Sequence, residues 1–237
     1  VWHRTAPIPR RRAFRRWKTD RKHTMDTRSV LQFTPEVEQA LASKKPVVAL
    51  ESTIVTHGMP FPENLKTALA VEEEVRAAGA IPATIAVMEG QIRIGLDRAA
   101  LEALAQAEDV MKLSRADLAF ALACRRTGST TVAATMMAAK LAGIEVFATG
   151  GIGGVHQGVE ETLDISADLR ELAQTSVITV CAGAKAILDI PRTLEVLETE
   201  GVPVVGYRTD ELPAFWSRSS GISAPLRLDA VEDIAAF

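Results

Sequence analysis

The segment Pro-Val-Val-Ala-Leu-Glu-Ser-Thr, residues 46–53, places an apolar run directly before a polar end. A short apolar run bounded by turn residues is typical of a strand that is buried on both faces. The amphipathic pattern of residues 62–78, stopped by Gly79, predicts a helix after this strand, and residues 83–88 predict the next strand. A strand, a helix and a second strand in this order predict a βαβ unit with a parallel sheet.

The same alternation continues along the chain. Further helices are predicted over residues 35–44, 98–107, 116–124, 132–141, 168–174 and 191–200, and further strands over residues 110–113, 144–148, 177–181 and 203–207, with a small β excursion at 90–95. The pattern therefore predicts an α/β fold, a three-layer α/β/α domain with a mostly parallel central sheet. No repeat or long internal linker divides residues 25–237, so we expect this part to be one domain.

The charge is distributed unevenly between the amino-terminal end and the rest of the chain. The net charge of −3 divides into +8 over residues 1–24 and −11 over the remainder. A basic stretch of this kind is compatible with a nucleic-acid arm, a targeting peptide or a cloning or annotation artefact. We expect it to be upstream sequence outside the working protein, and we expect no nucleic-acid partner.

The two cysteines and the hydropathy pattern indicate a protein of a reducing compartment. Cys124 and Cys181 lie among apolar residues and match no metal-ligand spacing, so we expect two free, buried thiols. No apolar run approaches the roughly 18–20 residues that span a bilayer. We therefore expect a cytoplasmic protein with no membrane partner.

Polar and glycine-rich residues follow several of the predicted strands. In open α/β sheets, ligands bind outside the carboxyl ends of the strands. The residues at those ends are Glu51, Lys112, Thr149 with the two glycines after it, and Lys185. Their coincidence predicts a single site at this edge of the sheet.

Lys185 and Glu51 each allow a catalytic and a structural interpretation. Lys185 follows small and apolar residues, and desolvation there favours the neutral amine that a nucleophile requires. It could equally extend from the rim of the sheet to solvent. Glu51 closes a buried strand, where a carboxyl can serve as a general acid or can simply cap backbone N–H groups.

Two segments rich in Gly, Ser and Thr are candidates for phosphate binding. Residues 127–131 precede a predicted helix, whose first N–H groups could hold phosphate or could be capped by Ser or Thr. Residues 149–156 bring backbone close to a ligand through their glycines, and His156 and Lys112 could add positive charge. The glycine spacing does not fit a dinucleotide fingerprint.

Asp164, Ser166 and Asp168 form a further polar segment. The two carboxylates suit a hard cation such as Mg²⁺ or Mn²⁺ that keeps most of its water. Asp residues in a first helical turn also complement the helix dipole, and Ser166 is a plausible N-cap for the helix that follows.

Taken in order, six segments of the chain resemble the pseudouridine-5'-phosphate glycosidase family, also called the indigoidine synthase A-like family. They are residues 49–54, 56–58, 127–135, 147–156, 164–169 and 181–185. Each segment is weakly diagnostic by itself, whereas the ordered set is highly specific.

The resemblance implies roles for particular residues. Lys185 corresponds to the Schiff-base lysine, Glu51 to the proton donor and Asp164 to the aspartate that holds Mn²⁺ or another divalent cation. The positions that correspond to substrate contacts are Lys112, Val132, Ser166, Ala167 and Asp168, with Thr149 and His156 along the sugar phosphate. The family is described as homotrimeric and α/β/α.

The implied reaction is reversible cleavage of the C-glycosidic bond of pseudouridine 5'-phosphate to uracil and ribose 5-phosphate, a lyase activity. Family members continue beyond the point that matches Phe237, so we expect the domain to be truncated at its carboxyl end. Two other functions fit the residues alone: another Schiff-base lyase or aldolase acting on sugar phosphates, and a non-catalytic sugar-phosphate-binding module.

Overall fold

The computed structural model describes residues 27–237, so the basic stretch at 1–24 lies outside the described residues. The helices are α1 (Pro35–Ala42), α2 (Glu63–Ala77), α3 (Arg98–Gln106), α4 (Leu118–Ala123), α5 (Val132–Ala142), α6 (Val159–Thr162), α7 (Ala167–Gln174), α8 (Ile190–Thr199) and α9 (Val231–Ala236). The strands are β1 (Leu31–Phe33), β2 (Val47–Leu50), β3 (Ile81–Met88), β4 (Gln91–Ile94), β5 (Met111–Leu113), β6 (Gly128–Thr130), β7 (Val146–Ala148), β8 (Val155–His156), β9 (Ile178–Val180), β10 (Leu188–Asp189), β11 (Val205–Tyr207) and β12 (Leu226–Leu228).

The central sheet has the order β1-β4-β3-β2-β7-β9, with β5 and β6 attached beside β3. Most neighbouring strands are parallel, as the βαβ pattern predicts, and β3 is antiparallel to β4 and to β6. The first half of β3 pairs with β2, whose last residue Leu50 lies opposite Thr84. The second half of β3 pairs with β6, where Ala86 lies opposite Ser129. The carboxyl ends of β2 and β6 therefore meet beside the middle of β3.

Helices cover both faces of the sheet, which confirms the three-layer prediction. Side chains of β3 alternate between two apolar clusters, because successive residues of a strand point to opposite faces. Ile85 and Val87 belong to the cluster that includes α1 and α5, whereas Ala86 belongs to the cluster that includes α2 and α3. Strand β2 is largely buried because it lies between two helical layers, whereas Pro46 before it is exposed.

One part of the sheet is left open on the α2 face. In the register of β2, β7 and β9, Leu50, Ala148 and Val180 lie side by side and share a face. Helix α2 covers the β3 end of that row, while Ile178 and Val180 remain 50% and 56% exposed. This apolar surface on β9 lies beside the edge where the polar residues collect.

Two expectations from the sequence are corrected by the structure. Residues 128–130, for which the sequence predicted no strand, form the buried strand β6, because they pair with both β3 and β5. Cys124 is exposed rather than buried, because it is the C-cap residue of the short helix α4. Both cysteines are free thiols, as expected.

None of the helices in the described part of the chain combines the length and the apolar character needed to cross a bilayer.

Candidate active site

Three neighbouring parallel strands end at the same edge of the sheet, and each is followed by a predicted site residue. Glu51 follows β2, Thr149 follows β7, and the segment that ends with Lys185 follows β9. Because β7 lies between β2 and β9, these three positions are adjacent along the edge. The predicted clustering of polar residues at the carboxyl ends is therefore present in the fold.

The segments after β7 and β9 remain hydrogen-bonded to each other beyond the ends of the strands. The N–H of Thr149 donates to the Val180 carbonyl at 3.0 Å. Further along, the N–H of Ile152 donates to the Gly183 carbonyl at 3.1 Å, and the N–H of Lys185 donates to the Ile152 carbonyl at 3.1 Å. The backbone that carries Lys185 is thus fixed to the glycine-rich segment by a continued parallel ladder.

Two glycines in this ladder lie against a third segment of the chain. Gly183 has φ +86°, a conformation that other residues adopt at a cost, and a Cβ there would lie 2.3 Å from the Pro213 carbonyl oxygen. A Cβ at Gly151 would lie 2.6 Å from the ring of Phe215. The Phe215 N–H donates to the Ala182 carbonyl at 3.0 Å. The glycines are therefore needed because the ladder is covered closely.

The Glu51 carboxyl is half-buried and held on both oxygens. The Thr149 hydroxyl contacts Glu51 Oε1, so the end of β7 is joined to the end of β2 through side chains. The Thr53 hydroxyl lies 2.7 Å from Glu51 Oε2. Both contacts are with threonine hydroxyls and neither is with a backbone N–H. They therefore give no support to the interpretation of Glu51 as a backbone cap.

Lys185 is half-buried at the end of its segment and is fixed there by its backbone, which bonds Ile152 on one side and Leu188 on the other. Burial raises the pKa of the nearby Cys181 thiol. A thiol whose pKa is raised stays protonated and unreactive at neutral pH. Burial therefore argues against the Cys181 thiol as the reactive group of this segment.

Lys112 belongs to β5 and is paired in parallel register with Ser129 of β6. Its side chain is exposed. The residue after Ser129, Thr130, receives the Thr53 hydroxyl on its carbonyl oxygen at 2.8 Å. Strands β5 and β6 thus extend the polar edge from Glu51 toward Lys112.

Asp168 is buried, and its carboxylate joins two backbone segments. The Ala133 N–H donates to Oδ1 at 2.9 Å, and the Gly153 N–H donates to Oδ2 at 2.8 Å. Asp168 therefore fixes the glycine-rich segment to the first turn of α5, next to the buried Val132. A carboxylate at the amino end of a helix is also favoured by the helix dipole.

The amino ends of α5 and α7 are capped by side chains. The Thr131 hydroxyl accepts from the Ala134 N–H at 3.4 Å, and the Ser166 hydroxyl accepts from the Asp168 N–H at 3.2 Å. The predicted N-cap at Ser166 is confirmed. At the start of α5, Asp168 and Thr131 accept from the N–H groups of Ala133 and Ala134. Fewer free N–H groups therefore remain there for a phosphate.

Asp164 and His156 lie together at the outer end of the glycine-rich segment. The His156 N–H donates to the Asp164 carbonyl at 3.0 Å, and His156 Nδ1 lies 3.9 Å from Asp164 Oδ2. The Asp164 side chain is 63% exposed. Among residues 27–237, no group of three or more His, Cys, Asp or Glu side chains has the arrangement of a metal site. An ion at Asp164 would keep most of its ligands as water.

The structure adds residues that the sequence analysis did not single out. Thr193 of α8 is buried, accepts from the Val155 N–H at 2.9 Å and donates to the Asp189 carbonyl at 2.7 Å. Phe215 covers the ladder, and Thr53 contacts Glu51. Thr53 lies just after the end of β2, so its place near Glu51 could have been predicted from the sequence. Thr193 and Phe215 approach the site from distant parts of the chain and leave no local signal.

The fold and the site together define an α/β protein whose candidate site residues collect at the carboxyl edge of parallel strands. Residues 36–237 match the indigoidine synthase A-like protein family. Because this match covers most of the chain, the protein belongs to that family.

Curated relatives are highly similar over the same region. The pseudouridine-5'-phosphate glycosidase of Solibacter usitatus is 66% identical over 207 residues, which are 87% of this chain and 69% of the relative. The pseudouridine-5'-phosphate glycosidase of Methylobacterium nodulans is 69% identical over 208 residues, which are 88% of this chain and 62% of the relative. The chain thus spans about two thirds of the length of these relatives.

Two solved structures have the same fold. One is the prealnumycin C-glycosynthase AlnA in complex with ribulose 5-phosphate, with a TM-score of 0.82 and 44% identity. The other is an indigoidine synthase A-like protein from Thermotoga maritima, with a TM-score of 0.79 and 35% identity. Each comparison covers 87% of this chain and 67% of the solved chain.

The contact between Gly183 and Pro213 predicts a specific loss of stability. Gly183→Ala is expected to lower the free energy of unfolding by more than Gly79→Ala, because a methyl group at Gly183 meets backbone. Gly79 has the same φ of +86° with open space around it, so its substitution costs only the left-handed conformation, about 1–2 kcal/mol. Chemical denaturation of both variants measures the difference, and equal losses would contradict the close approach.

Proposed function

We propose that this protein is a pseudouridine-5'-phosphate glycosidase that cleaves the C-glycosidic bond of pseudouridine 5'-phosphate reversibly, giving uracil and ribose 5-phosphate. The observation that carries the proposal is the meeting of Glu51, Thr149 and the Lys185 segment along one edge of the sheet. The names of the curated relatives support the reaction. The pentose phosphate bound to the C-glycosynthase supports the substrate class.

The bond that breaks explains why an amine is needed. In pseudouridine the ribose is joined to a carbon atom of uracil, so the leaving atom has no lone pair to protonate. The two-carboxylate route of ordinary glycosidases depends on protonation of such an atom. A lysine amine offers another route, because a nitrogen lone pair on C1' can expel the base as the carbon–nitrogen double bond forms.

The proposed reaction has four steps. The Lys185 Nζ attacks C1', and the C1'–O4' bond breaks while the ring oxygen receives a proton from Glu51. The adduct nitrogen then gives a proton back to the Glu51 carboxylate, which frees the nitrogen lone pair. That lone pair forms an imine with C1', the bond from C1' to the uracil carbon breaks, and that carbon takes a proton. Glu51 is the first candidate for this second transfer as well. Water hydrolyses the imine, which releases ribose 5-phosphate and returns Lys185 to its amine.

The remaining residues of the site are proposed to bind the substrate. Lys112 and His156 offer cationic or hydrogen-bonding groups for the phosphate, and Thr149 lies between Glu51 and the glycine-rich segment. Residues 166–168 and Val132 line the substrate through the capped amino ends of α7 and α5. The side chains of Ser166 and Asp168 already accept hydrogen bonds from backbone N–H groups of the protein. Their proposed contribution is therefore to hold the backbone in place beside the substrate as well as to contact it.

We also propose that Asp164 holds a divalent cation, Mn²⁺ or Mg²⁺. Its exposed carboxylate is a hard oxygen ligand, and its neighbour His156 provides a nitrogen at 3.9 Å. The ion, when bound, supplies positive charge near the sugar phosphate. The protein's own contribution is to place that carboxylate beside the glycine-rich segment through the β bridge between Val155 and Ile165.

A homotrimer is proposed as the assembly. The support, apart from the family resemblance, is exposed apolar surface on β9, at Ile178 and Val180. Contiguous exposed apolar surface is typical of a surface that is covered by protein.

Removal of the Lys185 amine tests the catalytic proposal. Wild-type protein is expected to release uracil from pseudouridine 5'-phosphate, whereas Lys185→Ala is expected to lose at least a thousandfold in kcat, because the amine forms the covalent intermediate. Lys140→Ala removes an exposed lysine of α5 and serves as the control. Release of uracil is followed by chromatography. A sugar phosphate cleaved without uracil would instead favour an aldolase-type lyase.

Loss of the carboxylate tests the metal proposal independently of activity. Asp164→Asn is expected to weaken Mn²⁺ binding at least tenfold in calorimetric titration, because an amide oxygen is a poorer ligand for a hard cation than a carboxylate. Asp233→Asn removes an exposed carboxylate of α9 and should leave binding unchanged. Equal affinity in wild type and Asp164→Asn would contradict the site.

The assembly has a direct measurement. Light scattering is expected to give three times the 25.5 kDa mass of one chain. A mass of one chain at micromolar concentration would contradict the homotrimer.

A further inference from the structure

Three segments of the chain meet around the first turn of α5. The Thr131 N–H, at the N-cap of α5, donates to the carbonyl of Leu113, the last residue of β5, at 2.9 Å. The Ala133 N–H donates to the carboxylate of Asp168, in the first turn of α7, at 2.9 Å. The end of β5 and the start of α7 are thus each bonded to the start of α5.

An ion pair joins the β5 segment directly to α7. Arg115 lies just after β5, and its guanidinium donates from Nε to Glu171 Oε2 at 2.6 Å and from Nη2 to Oε1 at 3.4 Å. Glu171 lies one turn beyond Asp168 on α7. The backbone before Arg115 is held in a turn, in which the Ser114 N–H donates to the Asp117 carboxylate at 2.9 Å. The three segments are therefore linked in a closed triangle, which resists the hinge motion that two links alone would permit.

The two partners of this ion pair are buried to very different extents. The Glu171 side chain is 0% exposed, whereas the Arg115 side chain is 47% exposed. The Thr175 hydroxyl also donates to Glu171 Oε1. A buried ion pair adds little stability compared with apolar side chains of similar size, but the directions of its hydrogen bonds are fixed. Glu171 is therefore a fixed anchor to which the exposed arginine of the β5 turn is bound.

Each of the three linked segments carries a residue that is proposed above to bind substrate. Lys112 lies on β5, Val132 begins α5, and residues 166–168 cap and begin α7. The proposed catalytic residues Glu51 and Lys185 are held by other hydrogen bonds, at the ends of β2 and β9. We therefore expect loss of the ion pair to affect substrate binding more than the chemical steps.

We infer that Arg115 and Glu171 are positioning residues for substrate binding, because their ion pair keeps Lys112 at a fixed distance from the amino end of α7. The identity of the bound molecule, a pentose phosphate, rests on the proposed function. Loss of the ion pair lets the β5 turn move relative to α7, which weakens the binding of substrate and of transition state alike. Such a change raises KM and leaves kcat unchanged.

Glu171→Met separates positioning from electrostatics. Methionine is suited to a buried position, and the half-exposed Arg115 stays solvated when its partner is removed. Removal of a negative charge would by itself strengthen the binding of a phosphate. Loss of the ion pair is instead expected to weaken ribose 5-phosphate binding on the order of tenfold in calorimetric titration. Asp109→Asn, which breaks the exposed ion pair between Asp109 and Arg126, is the matched control and should leave the affinity unchanged.

Arg115→Lys is the second variant, because it keeps the positive charge but cannot make both of the hydrogen bonds of the guanidinium. It is expected to weaken ribose 5-phosphate binding relative to wild type, by less than Glu171→Met does. Arg126→Lys, in an exposed ion pair, is its matched control and should bind as wild type does. If Glu171→Met fails to fold, the comparison of these two lysine variants decides.

Steady-state kinetics with pseudouridine 5'-phosphate give the second readout. In Glu171→Met, KM is expected to rise on the order of tenfold while kcat stays within about twofold of wild type. Unchanged or tighter binding of ribose 5-phosphate in either folded variant, or a fall in kcat without a rise in KM, overturns the inference. Weaker binding by the variants of a protein that releases no uracil refutes the proposed function and leaves the role of the ion pair standing. Absence of ribose 5-phosphate binding by wild type overturns both.

Discussion

The site depends on the parallel ladder that continues past the ends of β7 and β9. Strand pairing normally ends where side chains or turns force the backbones apart, but here residues 149–154 and 181–185 remain bonded through Ile152, Gly183 and Lys185. Two loops that would otherwise move separately are thereby joined. The position of Lys185 is set by backbone hydrogen bonds, and a site on such a rigid support is pre-organised for chemistry.

The rest of the edge is fitted to this ladder. Asp168 ties the glycine-rich segment to α5, Thr193 ties its far end to α8, and Phe215 covers it. On the other side, Thr149 reaches Glu51, whose partner Thr53 is in turn bonded to Thr130 of β6. Residues from several separate strands and helices therefore converge on this edge of the sheet, and most of them are held there by hydrogen bonds to backbone.

Much of this arrangement could be predicted from the sequence. The parts that could not be predicted depend on contacts between residues that are far apart in the chain. Apolar runs and helical periods predict the layers, and strand ends place Glu51, Thr149 and Lys185 together. Strand β6 escapes because Gly128, Ser129 and Thr130 have a turn-like composition, and only pairing with β3 and β5 makes them a strand. The contacts of Phe215 and Thr193 escape because they join residues that are far apart in the chain. No periodicity records such contacts.

Lys185 is proposed to be the nucleophile that the ladder presents to a sugar phosphate. The direct measurement is mass spectrometry of the protein after reduction with borohydride in the presence of ribose 5-phosphate. One pentose phosphate adduct is expected, mapped by proteolysis to the peptide that contains Lys185, with no adduct at that peptide in Lys185→Ala. An unmodified Lys185, or an adduct on another lysine that persists in Lys185→Ala, would contradict this proposal.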